Sequence, residues 1–195
     1  MEAHFKIPAK FNLKYLEKID NLNKKYPWNI KITETYWSLP WSITWSARPW
    51  NLLENVSIKK LKEYIDKSNE LWLDFEYTMN STSHWWQDLQ DGWKELFIDE
   101  INGLINAWVK RVTVWTPFLI RLIQKNFPEL EVTASINFCV DSMVWIERFT
   151  KMWISRIVLK RDINRDFSRL KTFINRSNVE LELLLNSLCR LNCNT

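Results

Sequence analysis

The sequence predicts an α/β fold, an incomplete (β/α)8 barrel of the TIM type with seven parallel strands and six helices. Two observations carry this prediction: extended apolar runs alternate with helical stripes along the chain, and several helices begin at capping residues. A third is the composition, because 46% hydrophobic and 26% charged residues are ordinary for a globular domain. A chain of 195 residues is long enough for one sizeable core. We therefore expect residues 1–195 to form a single barrel domain.

Seven runs rich in Val, Ile, Thr, Phe and Tyr, the residues that strands favour, provide the predicted strands. Their spacing leaves room for one helix between successive strands, which is the pattern of repeated βαβ units around a parallel sheet. The predicted strands are Phe5–Pro8, Ile30–Tyr36, Leu73–Met79, Lys110–Trp115, Glu131–Ile136, Ser155–Leu159 and Val179–Leu185.

The helices between these runs have recognisable starts. Asn12 and Ser57 each precede an apolar stripe, and Thr116 precedes Pro117, which favours the first position of a helix. Residues 93–105 carry a further stripe at helical spacing. The last stripe comprises Ile163, Phe167, Leu170 and Ile174.

Glycine and tryptophan occur in abnormal numbers. The chain has 2 glycines and 13 tryptophans, whereas glycine ordinarily makes up about 7% of residues. Trp28, Trp72, Trp108 and Trp153 each follow the end of a predicted helix, where the chain commonly turns through a left-handed conformation and glycine is favoured. We therefore expect a bacterial gene with an alternative genetic code, in which UGA codons for glycine have been translated as tryptophan.

The remaining tryptophans divide into two groups. Trp93 and Trp145 lie on helical stripes, and we expect them to be genuine core residues. The alternative to recoding is an authentic tryptophan-rich surface that binds sugar, membrane or protein, and the codons distinguish the two. The tryptophans at strand ends and in the loops that follow are Trp37, Trp41, Trp45, Trp50, Trp85, Trp86 and Trp115.

Charge and cysteine content narrow the class of protein. The net charge of +4 is mild, and no run approaches the roughly 18 apolar residues that span a bilayer. The N-terminus lacks the apolar region of a secretory signal. Three cysteines, an odd number, argue against a disulfide framework. We expect a cytoplasmic protein that binds neither membrane nor DNA.

Three segments in the second half of the chain resemble a known family. Thr133–Asn137 resembles the family's His-Ala-Ser-Thr-Gln strand, and Arg156–Asn164 is similar to its Arg-Val-Val-Leu-Ala-Arg-Glu-Leu-Ser segment. Glu182–Cys189 resembles the strand that ends in the family's first signature cysteine. In this order the three segments resemble the collagenase-like peptidases, peptidase family U thirty-two. Members of the family continue beyond this point, so we expect the chain to be a fragment.

The resemblance implies a barrel with its active site at the carboxyl ends of the strands. Arg161 and Asp162 match the family's Arg-Glu pair, and Asn186 lies near the place where the family commonly has a histidine. These three are the candidate catalytic residues. The candidate substrate-binding residues are the other polar residues at strand ends, namely Glu34, Tyr36, Arg48, Asn80, Thr116, Asn137 and Asn164.

The activity that the resemblance implies is hydrolysis of peptide bonds. Some family members bind an iron–sulfur cluster through cysteines in the region of Cys189 and Cys193. An alternative is therefore an iron–sulfur protein that assists hydroxylation of RNA or of a quinone precursor, with a 4Fe–4S cluster whose ligand set is incomplete in this chain. A third reading is a non-catalytic fragment that binds a partner. The sequence contains neither a GxSxG nucleophile motif nor a phosphate-binding GxxxxGK[ST] loop.

Overall fold

The computed structural model describes residues 3–26, 30–44, 48, 50–81 and 89–185. The strands in these residues are β1 (Ala3–Pro8), β2 (Ile30–Trp37), β3 (Asp74–Met79), β4 (Arg111–Val114), β5 (Glu131–Ala134), β6 (Arg156–Val158) and β7 (Glu180–Glu182). The helices are α1 (Leu13–Lys25), α2 (Ile58–Glu70), α3 (Trp93–Asn106), α4 (Pro117–Asn126), α5 (Met143–Lys151) and α6 (Phe167–Arg176).

The strands and helices alternate along the described chain, and the sheet has the order β1-β2-β3-β4-β5-β6-β7. Seven parallel strands with six helices are the architecture of an incomplete (β/α)8 barrel, as the sequence predicts. No helix in the described residues has the length and apolar composition that crossing a membrane requires.

Three helices begin at the capping residues that the sequence indicates. The side-chain oxygens of Asn12, Ser57 and Thr116 accept hydrogen bonds from backbone N–H groups two or three residues later, at 2.9, 3.2 and 3.2 Å. Pro117 occupies the first turn of α4. A backbone N–H at this position has no partner within the helix, so proline forfeits no hydrogen bond there. Local capping chemistry therefore fixes these three helix starts.

The last helix departs from its predicted stripe. α6 buries Leu170 and Phe173, whereas Phe167 and Ile174 are exposed. Ile163 is buried, but it lies in a separate 3-10 turn before the helix. Asp166, with φ of −91° and ψ of 76°, interrupts the helical backbone between that turn and α6, so the apolar positions on either side do not share one helical phase.

The chain divides into two compact units, unit 1 (residues 1–112) and unit 2 (residues 113–195). In unit 1, the ring of Tyr64 on α2 lies 5.2 Å from that of Phe11 and 6.0 Å from that of Phe75 on β3. In unit 2, the ring of Phe138 lies 4.7 Å from that of Phe149 on α5. Aromatic contacts thus pack a strand against a helix in unit 1 and the short turn after β5 against a helix in unit 2. The single-domain prediction remains a prediction.

The pairing of β1 with β2 contains one extra residue on β2. Phe5 pairs with Ile32, but the next residue, Lys6, pairs with Glu34. The side-chain amide of Asn23 on α1 donates to the carbonyl of Ile32 at 2.7 Å and accepts from its N–H at 3.0 Å. Beside this bulge, the Asn23 side chain therefore makes the two hydrogen bonds to Ile32 that a neighbouring strand would otherwise make.

Three of the four tryptophans expected at helix ends have the left-handed conformation. Trp72, Trp108 and Trp153 follow the C-cap residues of α2, α3 and α5, with φ of 58°, 68° and 55°. Trp28, Trp45, Trp85 and Trp86 lie outside the described residues. Conformation does not test codon usage, so recoding stays a prediction.

The other described tryptophans behave differently. Trp37, Trp41 and Trp115 are not among the described residues with positive φ. Trp93 is buried on α3, as expected of a core residue, whereas Trp145 on α5 is 41% exposed. Positive φ therefore separates the helix-end tryptophans from the others that the structure describes.

Candidate functional site

Four charged side chains lie on neighbouring strands of unit 1. The Lys6 ammonium on β1 bonds to the Glu76 carboxylate on β3, and Arg111 on β4 lies 3.4 Å from the Glu34 carboxylate on β2. Lys6 and Glu34 are register partners. The side chains are between 0% and 17% exposed. We call these residues the four-charge cluster.

The cluster lies on the face of the sheet opposite the helices. Phe75 packs against Tyr64 of α2, and the Tyr77 hydroxyl faces Glu100 of α3. Because side chains alternate along a strand, Glu76 between them points to the other face. The sequence Phe75-Glu76-Tyr77 therefore places a carboxylate away from the apolar core.

The four-charge cluster balances two cations against two carboxylates. Buried ion pairs contribute little net stability, but loss of one partner costs about 3–5 kcal/mol because it leaves a buried charge uncompensated. Glu34, a predicted substrate-binding residue, is only 4% exposed and pairs with Arg111. Its arrangement favours a role in joining strands.

Two predicted substrate-binding residues lie together at the carboxyl end of β2. Nη2 of Arg48 donates to the Tyr36 hydroxyl at 3.1 Å. The guanidinium lies over the rings of Trp37 and Tyr36, at 4.3 and 5.5 Å from their centroids, and the Lys6 ammonium lies 5.4 Å from the Tyr36 centroid. A planar guanidinium held in this way is suited to binding a carboxylate. Asn80 directly follows β3.

A second polar group lies at the carboxyl end of β6 in unit 2. The Lys160 ammonium is 3.1 Å from the Asp162 carboxylate and 3.8 Å from that of Asp141. The hydrogen bond to Asp162 is the main cause that raises the pKa of Lys160, and Asp141 and Cys139 act in the same direction. All three charged side chains are partly exposed. We call Asp141, Lys160 and Asp162 the lysine–carboxylate cluster.

Arg161 and Asn164 lie on one 3-10 turn that follows β6. Side chains three residues apart in such a turn project from the same side. Asn164 donates to the carbonyl of Leu184 at 2.8 Å. Nε of Arg161 and Oδ1 of Asn164 are buried without a hydrogen-bond partner among the described residues. Ordered water or a ligand commonly satisfies such groups.

The remaining predicted site residues have different placements. Thr116 uses its hydroxyl oxygen to cap α4, and Asn137 lies in the short turn after β5, where its N–H bonds to the Ser135 hydroxyl at 3.3 Å. The described residues contain no group of three or more His, Cys, Asp or Glu side chains that could hold a metal ion. Asn186, Cys189 and Cys193 lie outside the described residues.

Sequence reasoning missed charged residues on the strands and next to them. Arg156 on β6, for example, is buried beside the carboxylates of Glu180 and Glu182, at 3.1 and 3.6 Å. In β3 and β7 the available signal was a charged residue at every second position, in Asp74-Phe75-Glu76 and Glu180-Leu181-Glu182. The missed residues in or beside the two clusters are Lys6, Glu76, Arg111, Asp141, Arg156 and Lys160.

The chain matches one family profile in sequence and several solved structures in fold. The sequence profile of Peptidase family U32 matches residues 45–190. The structure of the U32 peptidase Mk0906 has a TM-score of 0.68 and 14% identity, over 94% of this chain and 68% of that chain. Monomers generated from the dimeric phosphoribosylanthranilate isomerase of Thermotoga maritima have a TM-score of 0.53 and 14% identity, over 95% and 77% of the two chains.

At these identities the structural likenesses show the fold alone. No curated protein matches the chain in sequence. The family profile, however, covers well over half of the chain and includes the three segments that carry the resemblance. The chain belongs to Peptidase family U32.

Proposed function

We propose that this chain hydrolyses peptide bonds, with the lysine–carboxylate cluster of unit 2 as the catalytic centre. Membership of Peptidase family U32 is the observation that carries the proposal. The matched residues 45–190 include all three members of the cluster. The cluster also follows strands at their carboxyl ends, where barrels of this class have their active sites.

The reaction assigns one role to each charged group. The Asp162 carboxylate, paired with Lys160 at 3.1 Å, accepts a proton from the attacking water. The water oxygen bonds to the carbonyl carbon, the C–N bond breaks, and the proton passes from Asp162 to the leaving amine. The Lys160 ammonium stabilises the negative charge that develops on the carbonyl oxygen. One water is consumed and the products are an acid and an amine.

Exposure and placement support these roles. The side chains of Asp162 and Lys160 are 34% and 38% exposed, so water and substrate can reach them. Asp141 is farther from the ammonium, at 3.8 Å, and holds Lys160 in place. Arg161 and Asn164, on the same 3-10 turn as Asp162, are the candidate contacts to the peptide.

The test compares carboxylate variants of the full chain. We expect Asp162→Asn to lower kcat by roughly 10²- to 10⁴-fold, the range for loss of a general base, and Asp141→Asn to have a smaller effect. A mixture of internally quenched peptides of varied sequence serves as substrate. Glu147→Gln is the control, because it removes one exposed carboxylate of unit 2 that lies 3.7 Å from Arg176 and outside the cluster.

Circular dichroism first establishes that each variant is folded. The proposal is wrong if the folded wild-type chain cleaves none of the peptides, or if Asp162→Asn cleaves them as fast as Glu147→Gln does.

A further inference from the structure

Arg48 lies against the carboxyl end of β2. Its Cζ atom is 4.3 Å from the ring centroid of Trp37 and 5.5 Å from that of Tyr36. Trp37 is the last residue of the strand. Neighbouring residues on a strand point to opposite faces, so one side chain reaches both rings most readily where the strand ends. The guanidinium is therefore held at the strand end, where the chain leaves the sheet.

Two kinds of contact fix the orientation of this guanidinium. Stacking on the two rings uses its flat face, whereas its five N–H donors lie in its plane. Nη2 donates to the Tyr36 hydroxyl at 3.1 Å. Tyr36 therefore makes both a ring contact and a hydrogen bond, and the arrangement does not depend on Trp37 alone. A guanidinium that is already oriented loses less conformational freedom when it binds a ligand.

The groups around Arg48 are mainly hydrogen-bond donors. The Tyr36 oxygen accepts from Arg48, so its own proton can be donated to a second partner. Nε1 of Trp37 is buried without an acceptor among the described residues. The Lys6 ammonium lies 5.4 Å from the Tyr36 centroid and bonds to Glu76. A ligand that brings acceptor oxygens and negative charge matches these donors.

The exposure of these side chains distinguishes them from the four-charge cluster. Tyr36, Trp37 and Arg48 are all partly exposed, so a ligand can reach them from solvent, whereas Glu34 on the same strand is buried. The two oxygens of a carboxylate fit the fork of a guanidinium. We propose that Arg48 and the Tyr36 hydroxyl form a carboxylate-binding site in unit 1. The proposal concerns binding alone and is independent of the peptidase assignment.

Titration of the wild-type chain with two matched peptides tests the site. Acetyl-triglycine carries a terminal carboxylate, and its carboxamide has the same shape without the charge. We expect the acid to bind about tenfold more tightly or better, because a hydrogen bond to a charged group contributes at least that factor. Proton–nitrogen NMR follows the Nε–H signal of Arg48, which is identified by its absence from the spectrum of Arg48→Lys.

Substitutions separate the contributions to affinity, which calorimetric titration measures. Arg48→Gln should weaken binding of the acid by about tenfold or more, and Arg48→Lys by less, because lysine keeps the charge without the fork. Tyr36→Phe should weaken it by roughly two- to tenfold, the effect of one hydrogen bond. Arg176→Gln removes an exposed arginine of unit 2 and should bind like the wild type. Circular dichroism first establishes that each variant is folded.

Two results would overturn the proposal. One is equal binding of the acid and the carboxamide to the wild-type chain, which requires no variant to fold. The other is an Arg48→Gln chain that binds the acid as tightly as Arg176→Gln does. Titration with acetate then identifies the source of the carboxylate. Affinity equal to that of acetyl-triglycine supports a site for small organic acids, and much weaker affinity supports a site for the end of a peptide.

Discussion

The helices of this chain end in two different ways. α2, α3 and α5 each have, one residue after the C-cap, a residue with φ between 55° and 68°, and in all three cases that residue is tryptophan. The C-cap residues of α1, α4 and α6 have φ between −141° and −94°, and the described residues that follow the caps of α4 and α6 are not among those with positive φ. These three C-cap residues are Tyr26, Phe127 and Ser177.

The hydrogen bonds differ in the same way. After α2, the N–H of Trp72 bonds to the carbonyl of Asn69 at 3.1 Å, and the N–H of Leu73 bonds to that of Ser68 at 2.9 Å. α3 and α5 end with the same pair of bonds. This pair defines the Schellman motif, in which the left-handed residue is usually glycine. The other three helices close with a bond to the carbonyl four residues back.

The indole rings do not account for the turns. Trp72 and Trp153 are 92% and 87% exposed, so they gain little from packing. A left-handed conformation costs a residue with a Cβ about 1–2 kcal/mol. The backbone, rather than the side chain, therefore demands this geometry. The comparison supports glycine at Trp72, Trp108 and Trp153 in the native protein.

The largest expected effect concerns a tryptophan outside these turns. Trp93 is 5% exposed and stacks on Phe97 with 5.4 Å between ring centroids. Trp93→Gly should lower the free energy of unfolding by about 3–5 kcal/mol, as large-to-small core substitutions do. Urea denaturation measures the change. A neutral or stabilising result would mean that positive φ does not distinguish genuine tryptophans from recoded ones.

Replacement of the three left-handed tryptophans should have the opposite sign. Each of Trp72→Gly, Trp108→Gly and Trp153→Gly relieves the left-handed conformation, and we expect each to raise the free energy of unfolding by about 1 kcal/mol. Trp108→Gly should gain least, because Trp108 is half exposed and its ring lies 5.3 Å from the Lys62 ammonium. Denaturation of the single variants and the triple variant measures this.

Ser177→Gly is the control at a helix C-cap, where φ is negative. It should lower the free energy of unfolding by about 0.5–1 kcal/mol, because glycine adds freedom to the unfolded chain without relief of strain. It also removes the hydroxyl that accepts from the N–H of Val179 at 3.1 Å. Equal signs for Ser177→Gly and Trp72→Gly would contradict the comparison.

The last prediction concerns the identity of the residues and not the stability of the fold. The gene should have UGA at positions 72, 108 and 153 and UGG at position 93. Peptide masses of the protein from its own cells should show glycine at the first three positions. UGG codons at all four would instead favour an authentic surface of exposed tryptophans.

Most of the fold could be predicted from local chemistry. Strand runs of β-branched and aromatic residues, the caps at Asn12, Ser57 and Thr116, and the helix-end tryptophans all act within a few residues of one another. The stripe over Ile163, Phe167 and Ile174 was misleading, because a turn before α6 separates positions that share a spacing in sequence. Sequence spacing cannot show such a break.

The candidate site was less accessible to prediction. The resemblance pointed to Arg161 and Asp162, but the partner lysine, Lys160, was not singled out. The ion pair between Lys6 and Glu76 joins residues 70 positions apart, so only the strand order brings them together. The Glu100 carboxylate accepts a hydrogen bond from the N–H of Ile43, more than fifty residues earlier in the chain. Long-range contacts of this kind leave no local pattern.

The extra residue on β2 has a consequence for the four-charge cluster. If the pairing continued from Ile32 without a shift, Thr33 would lie opposite Lys6, and Glu34 would turn to the helix face. The extra residue shifts the register by one position, so that the Glu34 carboxylate rather than the Thr33 hydroxyl lies beside Lys6. The charge balance of these strands therefore depends on the number of residues between Ile32 and Glu34. Deletion of Thr33 would abolish it, although every ionisable residue would be kept.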